Sequence, residues 1–568
     1  MSGNKSKLKL VLCWHMHQPE YRDLQTGVFK QPWVYLHVIK DYADMIAHLE
    51  AVPNAKAVVN FAPILLEQIE EYAKQVNCYL QDGISISDPL LAALVDHTIP
   101  ADLDNRFKLV KDCLRANRDR QINRYPAFQK LIEMAEWIEH HNDSLNYVNS
   151  QYISDILVWY HLAWIGETIK LSDTRIKRLI AKASGYTLHD RIELVEVISE
   201  QLANVILRYK VLARKGQIEL SLTPYAHPIM PLLLDLNSTH DAMPDALLPE
   251  LDAYPGGEDR VKWHIEKGIQ TFKRFFGFKP KGCWPSEGSV SEATLDILAD
   301  YGFEWTASGG MVLGNSLNLP ENSDVKAAGM HAAYRLKKSN MACFFRDDGL
   351  SDLIGFEYSK WHAHDAVEDL LKHIENIAEH ESNEGIVSII MDGENAWEYY
   401  PDNGYHFLQE LYQRLASHPT IELTTFSECL KNKVGQTPLN KLVAGSWVYG
   451  TFSTWIGDVD KNRGWDMLGD AKWAFDKVIS TNRLSKEQLT VAEFQLAVCE
   501  GSDWFWWFGD YNPGEAVSNF EKQYRLNLAN LYRLIGETPP AYLALSFTQG
   551  SGAPAMGGAM RHGIEQII

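Results

Sequence analysis

The chain has 568 residues, with 54 Lys and Arg against 74 Asp and Glu, a formal charge of −20. That charge repels a polyanion and argues against nucleic acid as a partner. An apolar fraction of 46% and a charged fraction of 23% describe an ordinary globular protein, and the length predicts two domains. No stretch approaches the roughly 20 apolar residues of a membrane span, and the N-terminal apolar run is too short for a secretory core. The seven cysteines are scattered without a C-x-x-C pair, so reduced thiols in a cytoplasmic protein are expected.

In chain order, LKLVLCWH from Leu8 and KAVVNF from Lys56 read as strands. PILLEQIEEYAKQV follows as a helix with Pro63 at its start. From about residue 84 to 200 strand signal is scarce, which predicts a helical insertion. A long helical pattern then stops at Gly216, and GQIELSL follows as a strand. PKGCW, FEWTAS, MACFFR, IGFEY, GIVSIIMD and IELTTF are further predicted strands, with helical patterns between several of them. Continuous apolar strands alternating with helices predict a parallel sheet. Seven or eight such units, with no G-x-G-x-x-G or P-loop, favour a β/α barrel over a doubly wound sheet. Residues 1–430 are the expected catalytic barrel, and 431–568 the expected C-terminal α-helical domain. The tail TQGSGAPAMGGAMRHG is expected to be irregular.

Two carboxylates stand at predicted strand exits, where β/α barrels place their chemistry. Glu287 lies in CWPSEG, with Ser289 as the expected cap of the next helix, and Asp392 ends IVSIIMD. Facing each other across a cleft, two such acids are the minimum for glycoside hydrolysis, one held protonated by a raised pKa. Trp284 and Trp397 stand beside them as flat faces for a sugar. The structural alternative for each acid is a helix cap or a partner for Arg or Lys. His15 and His17, at i and i+2, face one side of their strand and suit either a metal or sugar hydroxyls. Glu219, inside a strand, needs a partner if buried.

Taken together, these segments resemble glycoside hydrolase family 57. The resemblance runs in order through HMHQP from His15, GQIEL from Gly216, CWPSEG from Cys283, MDGENAWEYYP from Met391, and the Trp-rich GSWVYGTFSTWIGDVDKNRGW and EGSDWFWWFGDYN. It implies an α/β fold, an irregular (β/α)7 barrel with a helical insertion whose C-terminal helical domain completes the cleft. It implies a retaining mechanism on α-glucans, with Glu287 as nucleophile, Asp392 as acid/base and no cofactor or metal. It further implies His15, His17, Glu219 and Trp284 around the cleaved bond, with Glu394, Trp397, Trp455, Asp503 and Trp504 in further sugar contacts. Two places depart from the family pattern: Asp348 stands in FRDDGLSD where a histidine is common, and Ser308-Gly309-Gly310 replace an acidic pair. Because both catalytic carboxylates remain, altered sugar contacts are expected there.

An α-amylase-like hydrolase of α-1,4 bonds is the leading expectation. A 4-α-glucanotransferase, a branching enzyme or a pullulan-cleaving enzyme would use the same chemistry. A zinc-dependent α-mannosidase or deacetylase would use His15 and His17, with Asp347 or His227 as third ligand. A non-catalytic glycan-binding protein would need the tryptophans alone.

Overall fold

The computed structural model describes residues 7–97, 102–325, 329–337, 339, 341–380 and 385–552. Ten strands form its main sheet. They are β1 (Leu8–Met16), β2 (Ala57–Phe61), β3 (Ile218–Leu222), β4 (Gly282–Cys283), β5 (Trp305–Ser308), β6 (Ala333–Leu336), β7 (Ala342–Phe345), β8 (Ile386–Asp392), β9 (Ile421–Leu423) and β10 (Gln436–Leu439). Seven lie parallel in the order β8-β1-β2-β3-β4-β5-β7. The short β9 pairs with the first residues of β1. β6 runs antiparallel to β7 and carries β10 beside it. The curl closes between β7 and β8 without a ladder: Asp347 N–H donates to the Ser388 carbonyl at 2.8 Å, and Arg346 Nε donates to that of Ile390 at 2.8 Å. This is the irregular (β/α)7 barrel expected from the sequence.

Side-chain parity divides the core. On β1, Leu10, Leu12, Trp14 and Met16 face the outer helices, while Val11 and Cys13 fill the barrel with Val58, Trp305, Phe344 and Ile390. His15 continues the inward column to the mouth. On β8, Ile386 and Ile390 point inward, and the same parity delivers Asp392.

Between Phe61 and Ile218 the described residues are helical or irregular, ending in the 27-residue helix Leu188–Arg214. Thr187 and Asp190 box its N-terminus, and Gly216, at φ 72°, ends the segment as expected. Helices Val459–Ser480, Lys486–Cys499, Ser502–Trp507 and Gly514–Leu534 form the C-terminal helical region. Residues 548–552 of the Gly/Ala-rich tail are irregular, apart from a single bridge at Gly552; the rest lies outside the described residues.

Two local expectations are corrected. IGFEY is not a strand: Leu353–Glu357 is a π-helical turn and Tyr358–Lys360 a 3-10 turn, continuing the helix Asp348–Asp352 that Asp347 caps. The cap of helix Glu292–Asp300 is Ser291, which accepts from Thr294 N–H, and not the buried Ser289.

Candidate active site

A cavity of about 520 Å³ opens at the C-terminal ends of the strands. His15, His17, Glu287, Asp392, Glu394 and Asp503 all line it. Its aromatic walls are Trp33 and Trp164 from the N-terminal half, Trp447, and Trp506, Trp507 and Phe520 from the C-terminal helices.

Glu287 sits in the turn after β4 with φ 56° and ψ 25°, a left-handed backbone that disfavours a side chain. Trp447 holds it twice. Its main-chain N–H donates to the Glu287 carbonyl, and its Nε1–H donates to Oε2, both at 3.0 Å. Trp447 in turn lies on Gly309, where a Cβ would come within 2.6 Å of its Cα. Asp348 accepts from Met311 N–H at 3.1 Å and pairs with Arg346 at 2.7 Å. A Cβ on Gly310 would come within 2.9 Å of the same carboxylate. The two departures from the family pattern therefore touch one another: the acid stands on one loop, and glycines opposite leave it room. Trp447→Phe keeps an aromatic side chain and removes the Nε1 donor. The expected result is a kcat lower by about 10- to 100-fold with little change in KM, checked by steady-state kinetics.

Asp392 lies level with His15 in the β1–β8 register. Its Oδ2 accepts from Asn395 Nδ2 at 2.8 Å. Burial pushes its pKa up, opposed in part by Asn395, His17 and Arg346. Behind it, Glu394 Oε1 accepts from His17 N–H at 3.3 Å and Gln18 Nε2 at 3.2 Å. Burial, reinforced by the Asp392 charge, pushes Glu394 well above the carboxylate range.

His17 Nε2 meets Asp503 at 2.8 and 3.0 Å. The His227 ring stacks on it, with centroids 3.8 Å apart and planes 12° from parallel. Asp503 reaches the cavity because the preceding loop is anchored. Glu500 there is buried and takes Arg260 in a two-pronged ion pair, His264 at 2.8 Å and the Tyr254 hydroxyl at 2.6 Å. Burial alone would raise the Glu500 pKa; Arg260 and His264 overcome it and hold it at about 2. Glu500→Gln leaves Arg260 buried without a counter-charge. It is expected to cost about 3–5 kcal/mol in denaturant unfolding.

The remaining expected contacts lie elsewhere. Glu219 points into the barrel one layer below the mouth, beside Val58. It accepts from Trp305 Nε1 at 2.7 Å and Ser427 N–H at 2.9 Å, and it does not line the cavity. Trp284, Trp397, Trp455 and Trp504 are at most 1% exposed. A ring with no open face cannot stack on a sugar, so in this structure these four pack the walls and do not surface them. Trp397 donates to the Gly393 carbonyl at 3.0 Å, Trp504 to that of Val498 at 2.7 Å, Trp455 lies behind Trp506, and Trp284 meets Trp447 edge-on. The open aromatic faces, together with Arg346, Trp447 and His227, were not singled out as sugar contacts. The aromatic richness of the C-terminal stretches signalled Trp447, Trp506 and Trp507, but not Trp33 or Trp164.

His17, His227 and Asp503 are the one group of potential metal ligands among the described residues. Their geometry does not suit zinc. Ring lone pairs lie in the ring planes, and two nearly parallel stacked rings do not converge on an ion about 2.0–2.1 Å from each. Both His227 nitrogens are also engaged, with His15 and Ser502. Asp347, the other expected third ligand, bonds His331 at 2.9 Å and lines a separate groove.

Paired acids and aromatic walls at a barrel mouth define a carbohydrate-processing class of site. The chain belongs to glycosyl hydrolase family 57, whose model matches residues 11–442. Among solved structures it is similar to a GH57-type branching enzyme from Pyrococcus horikoshii, at 16% identity and TM-score 0.54, covering 98% of this chain and 99% of that one. A GH57 branching enzyme from Thermococcus kodakaraensis matches at 16% and 0.53, covering 93% and 90%. The α-amylase AmyC from Thermotoga maritima matches at 12% and 0.55, covering 93% of each chain. These identities establish a shared fold. No curated protein matches the sequence.

Proposed function

We propose that the protein cleaves α-1,4-glucosidic bonds of α-glucans by double displacement. Glu287 attacks the anomeric carbon and forms a covalent glycosyl-enzyme. Asp392, its proton retained by burial, protonates the departing O4 and then deprotonates the incoming hydroxyl. The observation that carries this reading is the pairing of these two carboxylates in one cavity, one held by an indole N–H and the other with a raised pKa. A retaining enzyme requires their carboxyl groups about 5–5.5 Å apart during reaction. His17, Glu394 and Asp503 would bind sugar hydroxyls, with His15, whose two ring nitrogens meet Asn60 and His227, lining the same cavity behind them. The division into a barrel and a C-terminal helical part is part of the same proposal, placed after β10 (Gln436–Leu439), which belongs to the barrel's sheet, and not at 430/431; the C-terminal part supplies Asp503 and several of the lining aromatics. Seven free cysteines, six of them buried, suit a reducing cytoplasm, and no helix among the described residues is long and apolar enough to cross a membrane.

Transfer to a second sugar is the alternative outcome at the same site. Aromatic residues from both halves of the chain, Trp33 and Trp164 with Trp506, Trp507 and Phe520, line the cavity and favour an acceptor sugar over bulk water. The test is maltoheptaose with EDTA present and products separated by size. Shorter products alone mean hydrolysis; longer ones as well mean transfer. Loss of activity with EDTA would overturn the metal-free mechanism.

A further inference from the structure

A row of polar side chains crosses the barrel mouth behind Glu287. His227 Nδ1 lies 3.8 Å from Glu287 Oε1 and 2.8 Å from Ser502 Oγ. His227 Nε2 lies 3.1 Å from His15 Nε2, and His15 Nδ1 lies 2.7 Å from the side-chain amide of Asn60. The strand register sets this row, since His15, Asn60 and Ser221 occupy one level of β1, β2 and β3. Each bond holds one proton, so the tautomers of the two rings are linked.

Thr223 sets the direction. Its Oγ lies 2.8 Å from the Trp284 carbonyl and 2.7 Å from the Asn60 amide. A carbonyl only accepts, so it takes the single hydroxyl proton. The end of Asn60 facing Thr223 must then be the NH2 group. The two ends of an amide have the same shape and are told apart by their bonds. As placed, Asn60 Oδ1 faces Thr223 and His15 while Nδ2 faces Ser221, which leaves Thr223 owing one proton to two acceptors. With the amide turned over, NH2 takes that side, the oxygen takes the place of Nδ2 3.0 Å from the Ser221 hydroxyl, and every contact has one donor and one acceptor. The same NH2 faces His15 Nδ1, which therefore accepts. The His15 proton sits on Nε2 and is donated to His227 Nε2. The His227 proton is left on Nδ1, toward Ser502 and Glu287.

We propose that Asn60 is a positioning residue that sets the tautomers of His15 and His227 so that an N–H faces the Glu287 carboxylate. The inference rests on Glu287 being the nucleophile. The opposite tautomer would aim a ring lone pair at an ionised carboxylate; this one aims a donor at it, across from the Trp447 N–H. Both rings are neutral, as the relay requires. Burial, and then His17, push His15 down to about 3, and burial with the two neighbouring imidazoles pushes His227 well below its usual range.

Neutron diffraction of the deuterium-exchanged enzyme reads the relay without any substrate. Deuterium is expected on His227 Nδ1 and His15 Nε2, and the ND2 of Asn60 toward His15; deuterium on His15 Nδ1 overturns the proposal. Asn60→Asp presents acceptors on both sides and should reverse the row. Deuterium moves to His227 Nε2, and kcat falls about 10- to 100-fold with KM within about twofold. A reversed row with unchanged kcat would also sink the proposal. At position 227 the backbone is left-handed, φ 61°, which Asn and Asp tolerate alike. His227→Asn keeps a donor in place of Nδ1–H and should retain activity within about tenfold, with His227→Asp at least about tenfold lower again. Equal loss in both variants contradicts the donor role. If the parent turns over no glucan, the nucleophile reading fails, while the deuterium positions still decide the tautomers.

Discussion

Glu287→Ala is expected to lower kcat on maltoheptaose by about 10⁴-fold or more, and added azide is expected to restore turnover with a β-glycosyl azide as product. The reasoning follows the stereochemistry. Without the carboxylate, the face of the sugar opposite the leaving group is left open to a small anion. Azide entering there displaces the α-linked leaving group in a single inversion. An α-azide, or activity close to that of the parent, would remove Glu287 from the nucleophile's role. The same residue carries a stability effect of its own. Its φ of 56° is one that Gly adopts freely and Ala does not. Of two inactive variants, Glu287→Gly should therefore unfold with about 1 kcal/mol more stability than Glu287→Ala in a denaturant titration. The turn thus holds Glu287, the proposed nucleophile, in a left-handed conformation where Trp447 bonds it from main chain and side chain together.

Much of this architecture was legible because strand periodicity reports two facts at once. The largely apolar runs of LKLVLCWH and IVSIIMD point to strands buried on both faces. Their parity then placed His15 and Asp392 inside the barrel with Val11, Cys13, Ile386 and Ile390. What parity does not report is depth. Glu219 has the inward parity of Ser221, yet one layer lower the barrel interior is filled by Trp305 and Phe426, and the carboxylate is taken up by Trp305 and Ser427. Nor does composition say which ring is open. Trp284 and Trp397 stand near the two acids in sequence, but Trp284 packs into the barrel's inner cluster and Trp397 against Trp14 on the outer side, and both are sealed in. The partly open faces of Trp33 and Trp507 come from elements that only the tertiary fold brings together. IGFEY shows a third limit. Ile354, Phe356 and Tyr358 alternate as in a strand, yet Ile354 and Tyr358, at i and i+4, also share a helix face, and the Asp347 cap upstream decided for helix. Asn60 carried no signal, because its role depends on the register of three strands.

Asp392→Ala should separate the two chemical steps. Loss of a general acid costs about 10²- to 10⁴-fold when the leaving group is a sugar hydroxyl. With α-maltosyl fluoride the leaving group needs no proton, so glycosylation is spared while deglycosylation, lacking its base, is slow. The glycosyl-enzyme on Glu287 should then accumulate and be visible by intact-protein mass spectrometry. Azide should now give the α product, since it attacks the intermediate in place of water; a β-azide would exchange the roles assigned to the two acids. The burial that fits Asp392 for this task has a thermodynamic counterpart. Its folded pKa is raised above the unfolded value of about 3.9, so the folded state binds more protons across the interval between the two. Stability falls as pH rises through that interval and stays lower above it. Asp392→Asn removes the ionisation. It should melt higher than the parent near neutral pH, with the gap closing as pH falls toward about 4. A gap independent of pH would mean that Asp392 is not ionising in the fold, and its place as the acid would be lost with it.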